Sequence, residues 1–193
     1  MNIFVGCSSR NEIDEKYMIL AKDLGIALSE RGHDLVFGAC DNSSMGAIYR
    51  IMNEYGRKIT GIIAEAYIDD LKKLDIPEEN IIKTKTCTDR NMVLIQISDA
   101  ILFLEGGIGT YQEILTSIEA KRSGEFDKPI VIINKFGYFD NLIMALESAY
   151  KEGFTGANTK DTYYFTNNIE DALNYIENHK YSNKQVAGNS LVS

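Results

Sequence analysis

A chain of 193 residues, 45% apolar and 25% charged, has the composition of a globular protein and the length of one domain with a sizeable core. Its formal charge of −8 argues against nucleic acid or an acidic membrane surface as a partner, so an anionic ligand has to be held by local donors rather than by the overall field. Cys7, Cys40 and Cys87 are far apart and lack C-x-x-C spacing, which offers neither a disulfide framework nor a metal site; with no basic leader pattern and no apolar run near about 18 residues, a cytoplasmic location is expected.

Residues 2–6 predict a first strand ending in Gly6-Cys7-Ser8-Ser9-Arg10. From Glu12 to Arg31, Tyr17, Ala21, Leu24 and Leu28 recur at helical spacing, and Gly32 stops the helix. A second strand at 34–38 feeds a polar turn, then a helix from Met45 to Tyr55 closed by Gly56. A third strand is expected at 58–63, and 65–79, which holds Pro77, is expected to be a loop with a short helical turn. An exposed strand at 81–85 and a helix at 88–98, with Met92, Ile95 and Gln96 inward, lead to an unbroken apolar run at 100–104. Such a run suits a strand buried on both faces of a parallel sheet. A helix at 110–123, a strand at 128–133, a helix at 138–152, a strand at 162–165 and a helix at 169–178 follow. This alternation predicts one doubly wound α/β domain over 1–180, with a frayed tail at 181–193.

The stretch with most chemical content is Glu105-Gly106-Gly107-Ile108-Gly109-Thr110-Tyr111-Gln112-Glu113. A buried strand, a glycine turn and a helix start make an anion site, because the turn lets backbone approach the ligand and the unpaired amides of the first helical turn point at it. Thr110 and Glu113 also have the spacing of a capping box, in which both side chains serve the helix start instead. Ser8 and Ser9 suit either a ligand or the cap of the first helix. Arg90 is open to a surface salt bridge with Asp89 or Glu119, and Asp99 to a structural hydrogen bond. The G-x-G-x-x-G fingerprint after the first strand and the Walker pattern are both absent, so neither a dinucleotide nor a nucleoside triphosphate is indicated.

Taken in order, Gly6-Cys-Ser-Ser9, Ser44-Met-Gly-Ala47, Arg90, Ser98-Asp-Ala100 and Gly106-Gly-x-Gly-Thr-x-x-Glu113 resemble the LOG ("Lonely Guy") family, often described as lysine decarboxylases. Lys128-Pro129, Asn134-x-x-Gly-Tyr138 and Glu152-Gly-Phe154 extend the likeness over about residues 2–155. The resemblance implies a modified Rossmann fold, a homodimer, no metal and no organic cofactor. It also implies hydrolysis of the N-glycosidic bond of a nucleoside 5′-monophosphate such as AMP to free base and ribose 5-phosphate. By position, Glu113 and Arg90 match the catalytic pair. Gly106, Gly107, Gly109 and Thr110 match the phosphate loop, with Ser8, Ser9, Met45 and Gly46 as further substrate-binding candidates.

The residue chemistry suits that implication. Departure of the base builds positive charge on the ribose, which a carboxylate stabilises while orienting water. Arg90 either pairs with Glu113 or donates to the ligand. Lysine decarboxylation needs a Schiff-base lysine, and no lysine here occupies a suitable loop. The chain also departs from the family pattern. Glu105 stands in place of proline and Asn91 in place of lysine, while Ala39, Cys40 and Ser43 stand where glycines are usual. These departures carry the alternative reading, a nucleotide-binding or sensing protein without the chemistry.

Overall fold

The computed structural model describes residues 1–180, so the tail expected at 181–193 lies outside the described residues. Seven strands form one parallel sheet: β1 (Asn2–Gly6), β2 (Asp34–Phe37), β3 (Ile59–Ala64), β4 (Ile81–Thr84), β5 (Ala100–Phe103), β6 (Ile130–Ile133) and β7 (Tyr164–Thr166). Six α-helices alternate with them: α1 (Glu15–Glu30), α2 (Ser43–Glu54), α3 (Cys87–Ile97), α4 (Ile108–Arg122), α5 (Asp140–Lys151) and α6 (Ile169–Glu177). The strand order is β4-β3-β2-β1-β5-β6-β7. The chain therefore builds outward from β1 on one side, then returns through α3 to build outward on the other. The reversal lies between β1 and β5, whose register pairs Ile3 with Ala100 and Gly6 with Phe103.

Both sheet faces are covered, which is why the inner strands read as continuous apolar runs. On one face Leu20, Leu24 and Leu28 of α1 pack with Ile48 and Met52 of α2 and with Leu173 and Ile176 of α6. On the other, Leu94 and Ile95 of α3 meet Ile114 and Ile118 of α4, Phe139 and Leu142. Each such side chain taken fully from water contributes roughly 1.5–3 kcal/mol.

Local chemistry fixes the helix ends. Asp14, not Ser8 or Ser9, caps α1 by accepting from the Lys16 amide at 3.0 Å. Thr86 and Asp89 form a reciprocal capping box at α3, so Asp89 is engaged there rather than with Arg90. Lys128 Nζ closes the other end of α3 on the carbonyls of Ile95 and Gln96 at 2.7 and 2.8 Å. Gln96 itself is exposed; the inner side of α3 is Asn91, Leu94 and Ile95, because the buried stripe is offset from the one expected. Asp99 accepts from the Asn2 amide at 2.7 Å, the structural bond expected of it. The 65–79 segment contains a 3-10 stretch at Glu65–Lys73, kinked at Tyr67, and a 3-10 turn at Glu78–Asn80. Among the described residues no helix is long and apolar enough to cross a membrane.

Candidate active site

In an open parallel sheet, ligands bind beyond the carboxyl ends of the strands where the winding direction reverses. A cavity of about 490 Å³ occupies that place. Cys7–Arg10 after β1 line it, with Gly38, Cys40, Asn42 and Met45 around the β2–α2 turn. Tyr67 and Asp70 come from the 3-10 stretch after β3, and Cys87 and Arg90 from the first turn of α3. Gly107–Thr110, Gln112 and Glu113 complete it from the start of α4.

The helix that carries the glycine motif begins earlier than expected. Gly107 is the N-cap of α4, which places Thr110 inside the first turn and Glu113 beyond it. Thr110 therefore does not cap the helix, and Glu113 does not reach back to its start. Gly107 and Gly109 have no heavy atom within 4 Å of the position a β-carbon would take, so both face open space beside the first-turn amides. Gly106 serves differently. A β-carbon there would lie 2.1 Å from Thr110 Oγ1, so its hydrogen lets the loop fold over Thr110. Tyr138 holds the same turn by donating from its hydroxyl to the Gly106 carbonyl at 2.8 Å.

Glu113 is 5% exposed, and its Oε1 lies 3.4 Å from an Arg90 guanidinium nitrogen. Desolvation pushes the carboxyl from an ordinary 4.5 up to about 7, against the pull of the Arg90 charge. Space for it comes from Gly6, where a β-carbon would lie 2.6 Å from the Phe103 ring and 2.8 Å from Glu113 Oε2. The alternative left open for Arg90, a surface pairing, is absent, since Glu119 is bound instead to Arg122 and Asp89 to Thr86.

Of the residues singled out by sequence, Glu113, Arg90, Gly107, Gly109, Thr110, Ser8, Ser9 and Met45 come together on this cavity. Gly106 and Gly46 stand behind it. Gly46 leaves room for the Asp41 carbonyl, which a β-carbon would approach to 2.2 Å. Glu105 does not line the cavity either. Its oxygens are buried without a hydrogen bond of ordinary geometry, and burial raises its pKa although the main chain of Lys135 and Phe136 opposes the shift. Cys7 is buried and its thiol is pushed far up by desolvation, while Cys40 is half-buried and shifted the same way. Neither has a histidine beside it: His33 pairs with Glu177 and His179 lies near Asp127.

Sequence reasoning missed Tyr67 and Asp70, because a 3-10 stretch has no apolar periodicity to follow. Their signal is position alone, directly after the carboxyl end of an inner strand. The substituted loop after β2 shows what glycine would have supplied: Ala39 and Ser43 both hold positive φ, at 50° and 54°.

Comparison with known proteins gives the family and the fold. The family model described as "Possible lysine decarboxylase" matches residues 45–176. The cytokinin riboside 5′-monophosphate phosphoribohydrolase of Mycobacterium tuberculosis is 30% identical over 155 residues, 80% of this chain and 82% of that protein. The enzyme of the same name, LOG2, from Arabidopsis thaliana is 30% identical over 178 residues, 91% of this chain and 81% of its own. The molybdenum cofactor carrier protein of Chlamydomonas reinhardtii superposes with a TM-score of 0.66 at 16% identity, covering 92% of this chain and 98% of that one. The molybdenum cofactor binding protein of Rippkaea orientalis gives 0.66 at 15%, covering 91% and 93%. At those identities the likeness shows the fold alone. Among the described residues, none of those lining the cavity is a lysine. The extent of the family match and the identity to its curated members place this chain in the LOG family.

Proposed function

We propose that this protein hydrolyses the N-glycosidic bond of an AMP-like nucleoside 5′-monophosphate. One observation carries the reading. Glu113 is nearly fully buried yet lies on a cavity wall, paired with Arg90, directly beside the open amide end of α4. The 5′-phosphate docks on the first-turn amides and the Thr110 hydroxyl, where amide hydrogens and helix dipole favour an anion despite the chain's negative charge. That anchoring fixes the ribose so that C1′ meets the carboxylate.

The C1′–N bond breaks with its electron pair leaving on the base, which takes a proton from solvent. The oxygen of a water molecule bonds to C1′, and the proton it loses passes to Glu113. Before that transfer, ionised Glu113 stabilises the positive charge on the ribose, more strongly in a dry site than in water. A carboxyl near pH 7 is ionised often enough to act at neutral pH and basic enough to accept a proton. Arg90 holds the ionised form in place.

The test is release of free base from AMP and other monophosphates, with Glu113→Gln alongside. Loss of about 10²–10⁴-fold in kcat is expected for that variant. If wild type binds AMP yet releases no base from any monophosphate, the second reading, a nucleotide-binding protein without the chemistry, replaces the first. The left-handed Ala39 and Ser43 in the loop facing the site are the observation that favours it.

A further inference from the structure

The cavity has two chemically opposite ends. On the β5 side stand the amides of Gly107–Thr110; the Arg90 guanidinium lies between, against Glu113 and close to Gly38 after β2; on the β3 side stands the Asp70 carboxylate. Asp70 is half-buried, and among the described residues it has no hydrogen-bond or ion-pair partner. Its neighbour Asp69 is exposed and paired with Lys72 at 2.6 Å, while Lys73, the segment's other cation, makes no ion pair with Asp70. An unpaired carboxylate on the wall of a site for a phosphate ester works against binding, unless the ligand brings a hydrogen-bond donor to it.

Geometry limits where that donor sits on the ligand. Between β5 and β2 stands only β1, so at about 4.8 Å per strand those two loops are roughly 10 Å apart, with the 3-10 stretch after β3 farther still. A nucleotide whose phosphate lies on α4 therefore reaches Asp70 with its base and not with its sugar. Tyr67, three residues earlier and 52% exposed, lines the same end of the cavity with a ring free to lie against a base face.

We infer that Asp70 and Tyr67 select the base: the carboxylate accepts from an exocyclic amine and the ring stacks on the heterocycle. The substrate class is then nucleoside 5′-monophosphates with an amino-substituted base, AMP rather than IMP. The inference rests on the nucleotide reading of the site above, and its test separates the two.

Dissociation constants for AMP, IMP and 2′-deoxy-AMP are measured by calorimetry on Glu113→Gln protein with and without Asp70→Asn, and kcat/KM for AMP and IMP on wild type and on Asp70→Asn with Glu113 intact. In the Asp70-intact protein, AMP is expected to bind roughly ten- to a hundredfold tighter than IMP, the worth of one hydrogen bond to a charged group. Asp70→Asn brings that ratio close to one by weakening AMP and tightening IMP, since an amide also donates to a 6-oxo group. Tyr67→Ala weakens both and leaves the ratio standing. An unchanged ratio in Asp70→Asn overturns the inference. So does an effect confined to discrimination against 2′-deoxy-AMP, which would put the carboxylate on the ribose. Failure of both nucleotides to bind removes the inference together with the nucleotide reading. A changed binding ratio without base release from wild type removes only the hydrolysis.

Discussion

Two strand-to-helix turns border the same cavity and solve the same problem with different residues. After β5 the turn has three glycines within Gly106–Gly109, none at positive φ, so their use is space: one to fold over Thr110, two left open toward the cavity. After β2 the turn does require left-handed backbone, yet Ala39 and Ser43 supply it, at about 1–2 kcal/mol each. Glycine is thus kept at Gly106, where a β-carbon would meet protein, and dispensed with at 39 and 43, where the cost is backbone strain. A fold whose faces are both packed tolerates strain at its rim. At Gly106 it has no such tolerance, because a β-carbon there would collide with Thr110.

The largest expected effect lies just beyond the first turn, at Glu113. Folding raises its pKa from 4.5 to about 7, so the native state binds the proton more tightly than the unfolded chain. Its contribution to stability is then complete below pH 4.5 and is lost as pH rises through 7. Relative to Glu113→Gln, wild type should lose up to roughly 3 kcal/mol between pH 4.5 and 8 in urea titrations. Parallel stability curves for the two proteins would mean that the carboxyl is not desolvated.

Gly106→Ala comes next. Its β-carbon collides with the Thr110 side chain, and overpacking of this kind costs about 1–3 kcal/mol. Base release should fall as well, because Thr110 is pushed from the phosphate site. Gly107→Ala separates the two uses of glycine. With φ at −84° and open space around it, alanine is accepted by the fold, so Tm should hold or rise slightly. KM for the monophosphate should rise about tenfold, equivalent to about 1.4 kcal/mol of lost binding. A fall in Tm with KM unchanged would show that the open side of the turn faces no ligand.

The same contrast explains what the sequence could reveal. Strand positions followed from apolar runs, because a strand covered on both faces leaves no room for polar residues, as at Ala100–Phe103. Helix stops followed from Gly32, Gly56, Gly124 and Gly153, each at positive φ just past a helix end. The Thr110–Glu113 pair was ambiguous in one dimension. A capping box and a catalytic carboxylate share the same spacing, and only the N-cap at Gly107 and the approach of Arg90 from α3 separate them. That approach depends on strand order, which no local pattern encodes. Asp70 was invisible for a related reason: it matters through what lies across the cavity from it.

The smallest effects belong to the second turn, and they distinguish its two strained residues. Ser43→Gly relieves left-handed strain and also removes a buried hydroxyl that has no hydrogen-bond partner among the described residues. After the entropy cost of glycine in the unfolded chain, about 1–2 kcal/mol of stabilisation should remain, raising Tm by roughly 2–8 °C. Ala39→Gly relieves the same strain but gives up a methyl group that is 0% exposed. That methyl packs against Gly61, where a β-carbon would stand 3.1 Å from it and 3.3 Å from Ile76 Cδ1. Losing its burial costs about 0.8 kcal/mol, which with the glycine entropy cancels the gain, so Tm should hardly move. Equal stabilisation by both variants would mean that strain alone governs this turn. A gain at Ser43 alone would show alanine retained at position 39 for the packing it provides.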